Sequence, residues 1–112
     1  MGRNVLTGVA PEPPIKLPNV DVSTNTNISS NRAYWVDTTS AAVTLTLPAT
    51  ATMGDQIRIF DVSNTFDTNN CTVARNGNVI MGLTEDLVIA TEGAAFELVY
   101  YNVSKGWRIF TI

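Results

Sequence analysis

The chain has no histidine and a single cysteine, Cys71, in 112 residues. The first absence removes the side chain that most often activates a serine or cysteine nucleophile near neutral pH, so acyl transfer through a Ser–His pair is excluded. The second rules out an intrachain disulfide, and together they leave too few ligands for a structural zinc centre. Cys71, between Asn70 and Thr72, reads as a small strand residue rather than a nucleophile. Charge is also scarce: 15 % of residues carry one, the formal net charge is −3, and the pI is near 4.6. Arg3, Lys16, Arg32, Arg58, Arg75, Lys105 and Arg108 are dispersed along the sequence. Nucleic-acid binding needs a clustered basic surface, so no such partner is expected. No apolar run approaches the roughly 20 residues that cross a bilayer, and no membrane role is expected. The first residues lack the apolar stretch of a secretion signal, which predicts a protein made in the cytoplasm and left unprocessed.

What the sequence does have is alternation. Val43, Leu45 and Leu47 alternate with Thr44 and Thr46 until Pro48 stops the run, the pattern of a half-buried strand. Ala33–Asp37 reads as a short aromatic strand. Gln56–Asp61 sets Ile57 and Ile59 against Arg58 and Phe60. Thr72–Arg75 and Asn78–Met81 flank Asn76-Gly77, whose tolerance of positive φ predicts a tight hairpin. Leu87–Ala90, Phe96–Tyr100 and Trp107–Ile112 complete a set of six to eight short strands. No stretch carries a helical period. The expected fold is all-β: a small antiparallel β-sandwich or barrel-like module over residues 33–112, preceded by an extended arm over residues 1–32.

That arm holds Pro11, Pro13, Pro14 and Pro18, which remove amide donors and favour extended backbone. Val5, Leu6, Val9, Ile15, Leu17, Val20 and Val22 are spaced along it. A solvated spacer has no need of such aliphatics, whereas a peptide that docks into grooves on a partner does. The small polar run Ser23–Asn31 reads as the connector to the body. A body of about eighty residues buries only a modest core. With disulfide and metal excluded, oligomerisation is the remaining stabiliser. The final strand carries Phe110 and Ile112 on the face opposite Trp107 and Ile109, and Phe60 occupies the second face of its own strand. Strands apolar on both sides need a second covering layer. Another subunit supplies such a layer, and so does an arm packed against its own body. Trp35, Phe60, Tyr101, Phe110 and Ile112 are the interface or ligand candidates.

Catalytic readings are thin. A paired-carboxylate glycosidase needs two rigidly held carboxylates, and Asp37 beside Tyr34 and Trp35 comes nearest. The run Asp61–Asn70 is rich in oxygen ligands but lacks the spacing and closing glutamate of a dedicated calcium loop. No catalytic residue, metal site or cofactor is expected, and the protein is not expected to be an enzyme.

From Tyr34 onward the order of signatures resembles small β-modules of virion proteins of tailed bacteriophages. The pieces that carry the likeness are Tyr34-Trp35-Val36-Asp37-Thr38-Thr39, Val43-Thr44-Leu45-Thr46-Leu47-Pro48, Gly54-Asp55-Gln56-Ile57-Arg58-Ile59-Phe60-Asp61, Thr72-Val73-Ala74-Arg75-Asn76-Gly77 and Gly106-Trp107-Arg108. These residues build turns and strands, so no active site comes with them. The resemblance implies a phage structural protein, typically a homotrimer, found among capsid decoration (cement) proteins and tail-fibre modules. An arm plus one module suits a cement protein on the capsid exterior, bound to the major capsid protein. The alternative is a tail-fibre or baseplate module that recognises host glycan through Trp35, Tyr101 and residues 61–70.

Overall fold

The computed structural model describes residues 16–112. Among them the chain forms β1 (Asn19–Val22), β2 (Thr26–Asn27), β3 (Arg32–Val36), β4 (Val43–Thr46), β5 (Gln56–Asp61), β6 (Cys71–Ala74), β7 (Leu87–Ile89), β8 (Ala95–Tyr100) and β9 (Trp107–Thr111), with no helix. The strands make a five-stranded sheet in the order β1-β3-β5-β8-β9 and a four-stranded sheet in the order β2-β4-β6-β7. The all-β expectation holds.

The connectivity differs from the antiparallel module that was expected. β1, β3 and β5 run parallel to one another, and so do β2, β4 and β6. Each strand crosses to the other sheet before the chain returns beside its starting point, so residues 19–74 wind three times between the sheets as a short parallel coil. Parallel neighbours cannot be joined by a tight turn, and the intervening strand serves as the crossover. Antiparallel pairing begins only afterwards, where β7 lies on β6, β8 on β5 and β9 on β8. Both sheets are therefore mixed.

The boundary between arm and body also moves. Residues 19–31, expected as arm and solvated connector, form the first turn of the coil. Val22 and Ile28 are buried in the core and Val20 packs against it. The polar residues of this stretch fasten neighbouring backbone: Asn25 Oδ1 accepts from Thr44 N at 2.8 Å, and Asn31 Oδ1 from Gln56 N at 3.0 Å. Only three aliphatics anchor it, too few to stand out among nine Ser, Thr and Asn residues between Asn19 and Asn31.

The Asn76-Gly77 turn forms, with φ of 50° and 87° and a bond from Asn78 N to Arg75 O at 3.2 Å. The hairpin around it does not. β6 pairs with β4 and β7, while the chain beyond the turn is drawn off by other partners. Asn78 Nδ2 donates to Pro48 O at 3.1 Å, Asn76 Nδ2 donates to Leu47 O at 2.9 Å, and Ile80 enters the core.

The inward faces of the two sheets make one apolar cluster. Tyr34, Val36, Ile57, Ile59, Phe96 and Leu98 come from the larger sheet, and Val43, Leu45, Cys71 and Val73 from the smaller. Trp107 is fully buried and meets Tyr100 edge-on with ring centroids 5.3 Å apart.

Candidate functional site

Strand register fixes what the larger sheet shows to solvent. One row across its outer face runs Asp21, Trp35, Phe60 and Ala95. Ile112 extends this row, its amide donating to Ala95 O at 3.3 Å. A second row runs Asn19, Ala33, Arg58, Glu97 and Phe110. Trp35 and Phe60 are stacked with centroids 4.3 Å apart and planes 24° from parallel. Trp35 Nε1 donates to Asn19 Oδ1 at 3.0 Å, which fixes the indole across the β1–β3 boundary. Arg58 Nε donates to Glu97 Oε2 at 2.8 Å; with the Arg58 side chain 43 % exposed, this pair contributes at most about 1 kcal/mol. It spaces the aromatic groups more than it stabilises the fold. Phe110 and Ile112 are more than half exposed.

The smaller sheet is different. Its outward positions are Asn27, Thr44, Thr46, Thr72, Ala74 and Val88. Hydroxyls and amides suit water, whereas a stacked indole and phenyl beside two exposed apolar side chains make a contiguous patch of the kind that marks an interaction surface. The larger sheet's outer face thus sets an aromatic pair and two exposed apolar side chains among Asn19, Asp21, Arg58 and Glu97, while the smaller sheet's outer face is mostly hydroxyl and amide with Val88 at its edge.

Four of the five interface or ligand candidates, Trp35, Phe60, Phe110 and Ile112, share the apolar face. Tyr101 does not. Trp35 lies level with Ala95, six residues along β8 from Tyr101, a separation on the order of 20 Å at strand rise. The glycan platform of Trp35, Tyr101 and residues 61–70 is thus not assembled. Of the arm residues assigned to a partner, Val5, Leu6, Val9 and Ile15 lie outside the described residues. Leu17 is half-buried, while Val20 and Val22 serve the protein's own core.

The acidic candidates are engaged locally. Asp37 accepts from Thr39 Oγ1 at 2.5 Å, Thr39 N at 2.9 Å and Ser63 Oγ at 2.9 Å, which holds its carboxyl below the usual range. With Asp21, Trp35 and Val62 it borders a shallow depression of about 280 Å³. Tyr34 beside it faces inward, and its hydroxyl accepts from Ser29 N at 2.7 Å, so it contributes to the core instead of a site. Asp61, at the head of the oxygen-rich run, accepts from Thr65 N, Phe66 N and Gly93 N at 3.1, 3.0 and 2.9 Å. Those bonds fold the loop over the end of the sheets and plant Phe66 in the core. Burial, with the charge of Asp61 nearby, pushes the Cys71 thiol up to about 12, which keeps it protonated and inert.

The chain matches no family model and no curated protein.

The sequence singled out the aromatic members of the outer face but not its polar frame. Asn19, Arg58 and Glu97 sit far apart in the chain and are joined only by register. Their one advance signal is strand alternation, which puts Arg58 on the side of Phe60.

Proposed function

We propose that this protein is a virion structural protein of the tailed-bacteriophage kind: a capsid decoration protein on the capsid exterior that binds the major capsid protein, sits as a trimer at three-fold positions, and steadies the shell through its N-terminal segment. The observation that supports this reading is the apolar outer face of the five-stranded sheet, whose edge strand β1 is where the proline-rich N-terminal residues join the body. A flat aromatic face and the proline-rich N-terminal segment give two contacts per subunit. Three copies multiply them, so that weak single contacts hold a tight complex. The polar face of the other sheet then meets solvent.

The test is occupancy on purified capsids. Deleting residues 2–15 should abolish decoration. Trp35→Ser should weaken it by roughly thirtyfold, the loss expected of one aromatic anchor worth about 2 kcal/mol. Full occupancy by both variants would refute the assignment.

A further inference from the structure

Four strands lie at sheet margins: β2 has two residues, β7 three, β1 four and β9 five. Chains that stay single protect such margins with short strands, prolines or charges. β1 follows Pro18 and carries Asp21, and β2 and β7 are short. β9, Trp107-Arg108-Ile109-Phe110-Thr111, is the longest and the least defended. Ile112 N donates to Ala95 O and Tyr101 N to Gly106 O, so the even-numbered residues bond to β8 and the odd-numbered ones point off the sheet. Trp107 uses both of its backbone groups, donating to Val79 O and accepting from Met81 N. Ile109 N has only the Met81 thioether, with Sδ at 3.3 Å, a weak acceptor. Among the described residues nothing bonds to Ile109 O, Thr111 N or Thr111 O. Apolar exposure gathers at the same end. Of the nine large apolar side chains exposed among the described residues, five are Met81, Leu83, Val88, Phe110 and Ile112. Met81, Leu83, Leu87 and Ile109 share one depression of about 190 Å³, which places β7 and β9 side by side there.

We propose that β9 is a self-association edge: two copies of this chain pair β9 to β9, antiparallel, about a two-fold axis at Phe110, and join their larger sheets into one. A two-fold contact cannot close a ring of three. It is therefore distinct from the trimer contact of the functional reading above, and on a shell it would tie one trimer to the next.

The register follows from the groups left over. With Ile109 opposite the second copy's Thr111, N–H···O bonds form in both directions, and the symmetry repeats the pair. A shift by two residues either way leaves the groups of Thr111 or of Ile109 unused. Met81 must swing aside, which gives Ile109 N a carbonyl in place of a sulfur; its unbranched side chain is 42 % exposed and free to turn. The side chains match this register. Phe110 meets the second copy's Phe110 on the outer face as a close pair, with Cα atoms about 4.5 Å apart. Arg108 lies opposite the second copy's Ile112, and its aliphatic stem covers that exposed side chain. No like charges are brought together. Arg108 and its equivalent stand four residues apart along the strands, about 14 Å, beyond the screening length of ~10 Å in 0.1 M salt. Glu97, beside Phe110 on β8, is held by Arg58 and lies three strand spacings, about 14 Å, from its equivalent. Glu85 and Asp86 border the depression, and Asp86 already accepts from Arg75 N. A foreign strand would find the same backbone groups without this matched set of side chains, so the second copy is the better occupant. One strand edge is a small contact, which makes the pairing weak in solution and strong only where many copies are held side by side.

The test uses the full chain with single surface cysteines; Cys71 is buried and does not compete. Phe110→Cys sets two thiols at a Cα separation that a disulfide spans. Mild oxidation should then give a covalent dimer roughly tenfold faster than for Val88→Cys, a similarly exposed position that measures random collision. Arg108→Cys and Ile112→Cys should each stay single alone and cross-link when mixed. Adding Thr111→Pro to Phe110→Cys removes an N–H that no described residue accepts, and should return cross-linking to the Val88→Cys rate. Cross-linking of Phe110→Cys no faster than Val88→Cys would overturn the proposal. So would Arg108→Cys joining to itself as fast as Phe110→Cys, or indifference to Thr111→Pro. Capsid occupancy is measured separately, so failure of the pairing leaves the decoration reading standing.

Discussion

Gly106 carries the sharpest constraint on any single residue. Its φ is +66°, and a Cβ there would collide with the Val79 carbonyl, which accepts from Trp107 N at 3.0 Å. Gly77 shares the positive φ but faces open space. Gly106→Ala should therefore cost on the order of 3 kcal/mol, and Gly77→Ala only about 1 kcal/mol. Denaturant titration compares them, and equal costs would contradict the packing described around Trp107. The carboxylates make a second case. Asp37 is lowered by the Thr39 hydroxyl first, then by Thr39 N and Ser63. Asp55 is lowered chiefly by Thr52 N, against a smaller opposing effect of burial. A carboxylate with a depressed folded pKa stabilises the fold fully above its unfolded value, about pH 4, and that contribution disappears as pH falls through the lower folded value. The turns at residues 37–39 and 52–55 should loosen only in that acid range, followed by carboxyl NMR titration of Asp37 and Asp55; midpoints at the ordinary aspartate value would remove the claim.

The strands show what the sequence could and could not disclose. Alternation identified β4, β5, β8 and β9 and their buried sides, because one polar and one apolar face impose a period of two wherever a strand is half-buried. The same period serves parallel and antiparallel partners, so it carried no information about winding. Nor did the coil announce itself as a repeat, since the separation between successive strands lengthens from one turn to the next. β1 and β2 were hidden for another reason: short edge strands with few apolar positions look like linker. The apolar outer face was half legible, its aromatic residues visible as second-face hydrophobics and its breadth unknown until register aligned them. The place of β1 and β2 in the core yields a prediction. Deleting residues 2–15 should preserve cooperative unfolding, whereas deletion through residue 31 also removes Val22 and Ile28. Two buried aliphatics represent about 3–6 kcal/mol, comparable with the whole stability of a small domain. Near-UV circular dichroism of the Tyr100–Trp107 pair reports the outcome, and a native spectrum from the shorter variant would return these residues to the arm.

The described residues build a two-sheet body with unlike outer faces. Its parallel half comes from the first three turns and its antiparallel half from the last three strands, and β5 joins them with β3 on one side and β8 on the other. Such long-range pairing slows folding, and the core closes only when the C-terminal strands arrive. β1 and β9 are the two margins of the same sheet, so the described chain both begins and finishes beside the aromatic surface. An affinity handle or reporter fused after Ile112 starts at that rim and obstructs whatever lands there. A handle spliced at Val103, 85 % exposed in the turn between β8 and β9, sits at the end of the sheet remote from Trp35 and leaves the aromatic surface clear.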